Sequence, residues 1–202
     1  MLKFDEMFET QPDGSPGNRA RAHYQAYARW LAAQDPQLMR SRREEAEVIF
    51  RRVGITFAVY GDKDEDGSGT ERLIPFDLIP RIIDAGEWAT MEAGLVQRVN
   101  ALNRFIHDIY HDQDILRAGV IPREQIEENA QFRPQMVGVD VPNNIYSHIS
   151  GIDIVRAPDP QGRGEYYVLE DNLRVPSGVS YVLENRDLMK RTFPEVFEGL
   201  PR

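Results

Sequence analysis

The chain has 202 residues, 41% of them hydrophobic, and a formal net charge of -9. There is enough apolar material for the core of one or two domains, so the composition excludes an intrinsically disordered chain. The acidic balance argues against a general nucleic-acid surface, which needs clustered lysine and arginine, and the absence of cysteine excludes disulfides, thiol nucleophiles and thiolate metal sites.

The sequence contains no run of about 18 apolar residues that could cross a bilayer. Its first residues, MLKFDEMFET, are acidic and polar, unlike a secretion signal. We therefore expect a cytoplasmic protein whose partners include neither a membrane nor a nucleic acid.

Residues 1–20 are predicted to form a flexible arm, because the segment from Gln11 to Asn18 is dense in turn-forming residues. Its glycines and prolines could also cradle a ligand, although their spacing matches no phosphate-binding loop. Residues 21–142 are predicted to be mostly helical. One helix should end near Asp35-Pro36, and a second should end at Gly54, because glycine is typical of helix C-termini.

A small hairpin is predicted within this helical region, from strands at Ile55 to Tyr60 and Arg72 to Phe76. The connector between them, GDKDEDGSGTE, imitates the first half of a calcium-binding loop. Leu73 stands where such a loop needs a bidentate glutamate, so we interpret the connector as a solvated hairpin tip.

A long helix is predicted over roughly residues 85–117, from apolar residues at helical spacing. His107 and His111 lie four residues apart on it, a spacing that could share a metal ion. The sequence HDIYH lacks the glutamate of a zinc-protease helix, and no third ligand is evident. We interpret the two histidines as surface residues or residues with satisfied hydrogen bonds.

Residues 143–202 are predicted to hold the functional site. The segment from Ile145 to Val155 alternates apolar with small or polar residues, which predicts a strand. A short connection then returns the chain into a second strand, from Tyr166 to Leu169, whose unbroken apolar run predicts burial on both faces. So short a connection makes the two strands antiparallel neighbours.

Three polar residues should meet on this pair of strands. Glu170 and Asn172 lie two apart and point to the same side, and the pairing brings Asp153 towards them from the other strand. Oxygen ligands of this kind suit Mg²⁺. Two other interpretations fit as well: Asp153 and Glu170 could be ion-paired with Arg156 or Arg174, or they could be the acid pair of a sugar hydrolase.

Four blocks of the chain carry a family resemblance: GITFAVYG, IPFDLIPRII, HISGIDIVR and EDNLRVPSGVSYVLENR. The aspartate of the third block and the Glu-x-Asn of the fourth resemble the metal-binding strands of ATP-grasp enzymes. Together the blocks resemble the circularly permuted ATP-grasp type 2 family, over about Gly54 to Phe197. The length of the EDNLRVPSG block makes the resemblance specific.

The resemblance implies a carboxylate–amine ligase that depends on ATP and Mg²⁺ and is similar in type to peptide-forming ligases. In such enzymes ATP phosphorylates a carboxylate, and an amine then attacks the acyl phosphate to give an amide or peptide bond. By motif, Asp153, Glu170 and Asn172 would be the Mg²⁺ ligands, with Glu170 and Asn172 serving the bound ATP.

The resemblance also implies substrate-binding residues. Arg174 follows the metal ligands and would clamp the substrate carboxylate or the acyl phosphate as the catalytic residue, because a guanidinium matches an oxyanion bidentately. Ser177, Gly178 and the helix start after them would donate hydrogen bonds to the same anion. His148 and Arg186 are further substrate-binding candidates.

The chain departs from the family pattern in one respect. Family members continue into a lobe that grips adenine and phosphates with lysines and a glycine-rich loop. None of the three lysines, Lys3, Lys63 and Lys190, stands in such a loop. We therefore expect the missing nucleotide-binding lobe to be supplied in cis or in trans, and this chain alone to be inactive.

The sequence predicts an α+β fold: a helical amino-terminal portion with a small hairpin, followed by the metal-binding antiparallel strands of an incomplete ATP-grasp fold. The alternative function is a truncated, non-catalytic interaction module. Such a module would expose the apolar surface meant for the missing lobe and bind a partner protein there.

Overall fold

The computed structural model describes residues 4–11, 13, 15–54, 56–63, 69–73, 76–159, 164–176 and 178–198. Over these ranges the chain combines helices with two-stranded sheets, which agrees with the predicted α+β class. It divides into two compact units. The first unit comprises Met1–Ile83, Arg156–Glu165 and Ser177–Arg202, and the second comprises Asp84–Val155 and Tyr166–Pro176. Among the described helices, none combines the length and the apolar character needed to cross a membrane.

The segment predicted as a flexible arm contains a hairpin. Strand β1, Phe8–Thr10, pairs antiparallel with β2, Pro16–Ala20. A Cβ atom on Gly17 would lie 2.2 Å from the carbonyl oxygen of Glu9 on the facing strand, so only glycine permits this approach. Gly17 of this segment therefore serves strand pairing.

Two helices follow, with ends close to those predicted. Helix α1 spans Gln25–Ala32, and α2 spans Pro36–Val53. Asp35 caps α2 by accepting the N–H of Gln37 at 2.6 Å, and Gly54 ends it in a left-handed conformation with φ 76°. The predicted boundaries at Asp35-Pro36 and Gly54 are confirmed.

The predicted small hairpin is confirmed as well. Strand β3, Thr56–Lys63, pairs antiparallel with β4, Gly69–Leu73. Residues 64–68 of the connector that imitates a calcium loop lie outside the described residues. The interpretation of that connector as a solvated tip therefore stays a prediction.

The long helix α3 spans Ala85–Tyr110, shorter at its C-terminal end than predicted. The carboxylate of Asp108 accepts the N–H groups of Asp114 at 2.8 Å and Ile115 at 3.0 Å, and so starts a separate short helix, α4, Asp114–Arg117. A capping carboxylate of this kind competes with continuation of the helix. Helix α5, Arg123–Glu127, follows.

Strands β5, Gly151–Ala157, and β6, Glu165–Asn172, form a two-stranded sheet. The predicted strand start at Ile145 is wrong by six residues. Asn103 of α3 explains the difference, because its side-chain oxygen accepts the N–H groups of Tyr146 at 2.7 Å and Ser147 at 3.0 Å. Backbone donors used in this way are lost to a strand ladder.

The prediction that β6 is buried on both faces is also wrong. Tyr167 is 48% exposed and Leu169 is 66% exposed. An unbroken apolar run indicates a covered strand only where other elements supply the cover. Within the described ranges, β6 has one neighbouring strand, β5, in its sheet.

Helix α6 spans Gly178–Thr192. Its buried residues lie in the C-terminal half: Leu188, Met189 and Thr192. Apolar residues of its N-terminal half are exposed: Val179, Val182 and Leu183.

The core of the first unit lies between α2, α6 and the segment after β4. The rings of Phe50 and Phe76 pack edge to face with centroids 5.4 Å apart, and those of Trp30 and Phe193 pack edge to face at 5.5 Å. The buried cluster consists of Ala46, Phe50, Phe76, Leu188, Met189 and Phe193.

Candidate functional site

The three predicted metal ligands converge on one face of the β5–β6 pair. The side-chain amide nitrogen of Asn172 donates to Oε1 of Glu170 at 2.9 Å, and it lies 3.4 Å from Oδ1 of Asp153, a long hydrogen bond. Alternation along β6 places Glu170 and Asn172 on the same side, as predicted. Two carboxylates thus share one neutral amide.

The close approach of the strands depends on Gly151, the first residue of β5. A Cβ atom there would lie 3.3 Å from the Cβ atom of Asn172 and 3.2 Å from that of Pro176. Gly151 therefore lies opposite Asn172. Counting two residues inward along each antiparallel strand brings Asp153 opposite Glu170.

The ion pairs considered in the sequence analysis do not form among the described residues. Asp153 and Glu170 contact no arginine or lysine in that part of the chain; their hydrogen bonds go to Asn172. Arg174 instead donates from Nη1 to Oε1 of Gln131 at 3.1 Å, and the guanidinium carbon of Arg156 lies 4.6 Å from the centre of the Phe4 ring. Within the described ranges, the carboxylate pair thus has no ion pair with an arginine or lysine.

The described residues hold no group of three or more histidine, cysteine, aspartate or glutamate side chains arranged to bind a metal ion. The donor set at this site consists of two carboxylates and one amide. A cation bound here would need further ligands from water or from a phosphate group, which is the usual situation for Mg²⁺.

Asp171, between the two ligands of β6, points to the opposite face and meets Arg98 of α3. Nε of Arg98 donates to Oδ1 at 2.7 Å, and Nη2 donates to Oδ2 at 2.6 Å, so the pair is bidentate. The hydrogen bonds from Arg98 lower the pKa of the Asp171 carboxyl below its ordinary value and raise the pKa of Arg98. Sequence reasoning missed this pair.

Helix α3 also holds the segment that enters β5. Besides accepting the two backbone N–H groups, Asn103 donates from Nδ2 to the carbonyl oxygen of Val99 at 3.1 Å, which fixes its amide. The hydroxyl groups of Ser147 and Ser150 are hydrogen-bonded at 2.9 Å. One helix therefore contacts the chain just before β5 and at the end of β6, the two places that deliver the ligands.

His107, on α3, and His111, which follows it, each have Nδ1 within hydrogen-bonding distance of a neighbour. The prediction of satisfied hydrogen bonds is wrong for His111, because its buried Nε2 has no hydrogen-bond partner among the described residues. Nδ1 of His107 lies 3.0 Å from the hydroxyl group of Tyr146, and Nδ1 of His111 lies 2.9 Å from the carbonyl oxygen of His107. Their rings are stacked with centroids 4.0 Å apart. Nε2 of His111 lies 3.4 Å from a carboxylate oxygen of Asp140.

The remaining predicted site residues belong to both compact units. His148 is exposed and forms no hydrogen bond or ion pair with another described residue. Gly178 begins α6, and the guanidinium carbon of Arg186 lies 5.7 Å from the centre of the Phe197 ring; both residues belong to the first unit. Ser177 lies outside the described residues. Their substrate-binding roles stay predictions.

Comparison with protein families gives a match over residues 80–201, to the model CP_ATPgrasp_1, described as a circularly permuted ATPgrasp. This range includes α3, β5, β6 and α6, and therefore all the predicted site residues. The match confirms the predicted circularly permuted ATP-grasp family, and it concerns that family as a whole rather than its type 2. No solved structure matches the chain.

Curated relatives are similar to nearly the whole chain. "Uncharacterized protein sll0335" of Synechocystis sp. is 44% identical over 85% of this chain and 34% of its own length. "Uncharacterized protein ML0605" of Mycobacterium leprae is 44% identical over 97% of this chain and 32% of its own length. "Putative glutamate--cysteine ligase 2-2" of Frankia casuarinae is 38% identical over 87% of this chain and 19% of its own length. The chain thus spans about a third of the first two relatives.

Proposed function

Because the chain belongs to the circularly permuted ATP-grasp family, we propose that it provides the Mg²⁺-binding part of an ATP-dependent carboxylate–amine ligase. The observation that carries the proposal is the convergence of Asp153, Glu170 and Asn172, in which neither acid forms an ion pair with an arginine or lysine that the structure describes. A relative whose name includes glutamate–cysteine ligase supports this class of reaction, in which an amide bond is made at the expense of ATP.

The three residues fit Mg²⁺ by their chemistry. Carboxylate oxygens are its preferred protein ligands, and the exposure of Asp153 and Glu170 leaves room for water and phosphate oxygens to complete an octahedron. Rotation of the Asn172 amide by 180° exchanges its nitrogen and oxygen and would offer the oxygen to a cation. In the metal-free arrangement the amide N–H group partly neutralises the same two acids.

Asp153, Glu170 and Asn172 would hold the cation, and Mg²⁺ bound there would supply charge neutralisation for phosphoryl transfer. The residues of the chain have distinct tasks around it. Asp153 and Glu170 would supply the charged ligands, and the Asn172 amide donates towards both carboxylates, which offsets their mutual repulsion.

Arg174 is the proposed group for the substrate carboxylate or its acyl phosphate. It lies two residues beyond Asn172, is exposed, and makes a single hydrogen bond to the neutral Gln131. An oxyanion would form a stronger, bidentate pair with the guanidinium than the Gln131 amide does. We assign His148, Ser177, Gly178 and Arg186 as secondary substrate-binding candidates on the family motif alone.

The nucleotide-binding lobe is proposed to come from polypeptide outside this chain, in cis or in trans. The relatives support this, because the matched region makes up about a third of two of them. The metal ligands of the site would then lie in this chain, and the groups that bind adenine would lie in the other lobe.

A non-catalytic interaction module is the second candidate. The observation that favours it is the exposure of apolar side chains on β6, above all Leu169 at 66%. The two candidates are separated by calorimetry with Mg²⁺-ATP and the isolated chain, since tight binding in the absence of a partner would count against a pure interaction module.

The ligase proposal is tested by ATP hydrolysis in the full-length protein, with glutamate and cysteine supplied as acid and amine. We expect Mg²⁺-dependent turnover that falls at least a hundredfold in Glu170→Gln, because the metal loses a charged ligand. Glu92→Gln is the matched control, since Glu92 is an exposed acid on α3. Undiminished turnover in Glu170→Gln would contradict the proposed metal role.

A further inference from the structure

We infer that Arg98 is a positioning residue for the metal ligands of β6, acting through Asp171. The inference rests on the proposed function, because it concerns the same Glu170 and Asn172. Arg98 lies outside the EDNLRVPSG block and 73 residues before Asp171, yet it makes the bidentate contact described above with this residue between the two ligands.

The geometry of a strand gives Asp171 this influence. Side chains alternate between faces, so Glu170 and Asn172 point to one side of β6 while Asp171 points to the other. Two parallel hydrogen bonds at 2.7 Å and 2.6 Å fix the plane of the Asp171 carboxylate against Arg98. Fixing the middle residue restrains the backbone on both sides of it, and with it the directions of the two ligands.

This restraint matters because the side chains around Glu170 have few neighbours among the described residues. Glu170 is exposed, and Leu169 beside it is 66% exposed, so side-chain packing contributes little to holding these two residues. The side chain of Asp171 is only 16% exposed, against 42% for Arg98. The contact with Arg98 is therefore the sheltered attachment of the ligand-bearing end of β6.

Arg81 and Glu6 offer a matched control within the same chain. Nε and Nη2 of Arg81 donate to the two carboxylate oxygens of Glu6 at 2.8 Å and 2.7 Å, and the side chains are 50% and 24% exposed. This pair has the same chemistry and similar exposure, but both residues belong to the first unit. Arg81→Ala thus reports what the loss of such a pair does to stability alone.

Charge and positioning predict opposite effects on metal affinity. Removing the guanidinium in Arg98→Ala leaves the negative charge of Asp171 uncompensated near the site, and by Coulomb's law alone this would strengthen cation binding. Loss of positioning would weaken it. Arg98→Lys keeps the positive charge but cannot form the planar fork, so charge alone predicts no change and positioning predicts weaker binding.

The experiment titrates Mn²⁺ alone into the full 202-residue chain and follows the free ion by electron paramagnetic resonance. We expect affinity to fall about tenfold in Arg98→Ala, as for other residues that orient metal ligands, with a smaller fall in Arg98→Lys and no change in Arg81→Ala. Unchanged or tighter Mn²⁺ binding in Arg98→Ala would overturn the inference. If Arg98→Ala does not fold, Arg98→Lys takes its place, and unchanged Mn²⁺ binding in that variant would overturn the inference.

A metal-free measurement separates failure of this inference from failure of the proposed function. If the parent chain does not bind Mn²⁺, or if Glu170→Gln binds it equally well, the metal assignment is wrong. The order of the Asn172 side-chain amide, from its ¹⁵N heteronuclear NOE without metal, still tests Arg98. We expect this amide to become mobile in Arg98→Ala and not in Arg81→Ala, and an equally ordered amide would contradict positioning.

Discussion

The side-chain amide of Asn172 lies 2.9 Å from the carboxylate of Glu170, two residues earlier on the same strand. The same neutral amide nitrogen of Asn172 also lies 3.4 Å from a carboxylate oxygen of a second acid, Asp153. These hydrogen bonds stabilise the two carboxylates. A bound cation would take the place of the amide donor.

Replacing this amide by a third acid should make stability depend on divalent cations. Without Mg²⁺, Asn172→Asp should lower the free energy of unfolding by about 1 kcal/mol, because three negative charges then repel one another near the surface. Millimolar Mg²⁺ should restore the loss through binding to the folded state. Thermal unfolding with and without Mg²⁺ measures both effects.

Asn172→Ala is the control for that variant, since it removes the amide without adding charge. Equal responses of Asn172→Asp and Asn172→Ala to Mg²⁺ would show that the cation does not bind among these acids.

Enlarging Gly151 should disturb the site at its narrowest point. Gly151→Ala introduces a methyl group 3.2 Å from the Cβ atom of Pro176 and 3.3 Å from that of Asn172, closer than ordinary contact. We expect a loss of roughly 1 to 2 kcal/mol in the free energy of unfolding, together with weaker Mn²⁺ binding. Denaturant unfolding and the Mn²⁺ titration provide the two readouts.

Gly94→Ala is the matched substitution for Gly151→Ala. Gly94 lies within α3 and has no atom within 4 Å of the position of an added Cβ, so alanine should stabilise the chain by about 1 kcal/mol. A Gly151→Ala variant that is as stable as the parent and binds Mn²⁺ equally well would rule out close packing at the site.

The stability of the chain should fall above pH 10 because of Tyr27. Burial raises the pKa of Tyr27 from 10.0 to about 12, and its hydroxyl group donates to the carbonyl oxygen of Leu78 at 2.8 Å. Between these pH values the unfolded chain has lost the proton and the folded chain retains it. Each pH unit in this window should therefore cost roughly 1.4 kcal/mol of unfolding free energy, and below pH 10 the contribution is fully present.

Urea unfolding at pH 9 to 11.5 tests this sign. Tyr27→Phe, which has no proton to lose, should show a shallower decline, although it starts from a lower stability because the Leu78 carbonyl loses its donor. Tyr181→Phe is the control, since Tyr181 packs against the same core and its hydroxyl group has no hydrogen bond to a described residue. A decline as steep in Tyr27→Phe as in the parent would contradict the assignment.

Local sequence rules predicted much of the fold because the features involved are short-range. The helix boundary at Asp35-Pro36, the helix end at Gly54 and the alternation along β6 each depend on a few neighbouring residues, and each is observed. The same-side placement of Glu170 and Asn172 needed nothing beyond strand geometry. Antiparallel pairing of the two strands added Asp153, and the structure brings it to them.

Long-range contacts account for what the sequence could not show. Asn103 delays the start of β5 by binding the N–H groups of Tyr146 and Ser147, a contact across more than 40 positions of the chain. Alternation along β6 indicates that the Asp171 side chain points away from the face that carries Glu170 and Asn172. Nothing in the sequence, however, selects Arg98 among the arginines as its partner. The exposure of Leu169 depends on which elements cover β6, which periodicity does not encode.

The most direct test of the magnesium site is paramagnetic mapping of Mn²⁺ on the ¹⁵N-labelled chain. The account predicts that substoichiometric Mn²⁺ broadens the amide signals around Asp153 and from Glu170 to Asn172 first, and that excess Mg²⁺ reverses the broadening. Broadening centred instead on other acids, such as Asp112 and Asp114, with the signals of β5 and β6 unchanged, would contradict it.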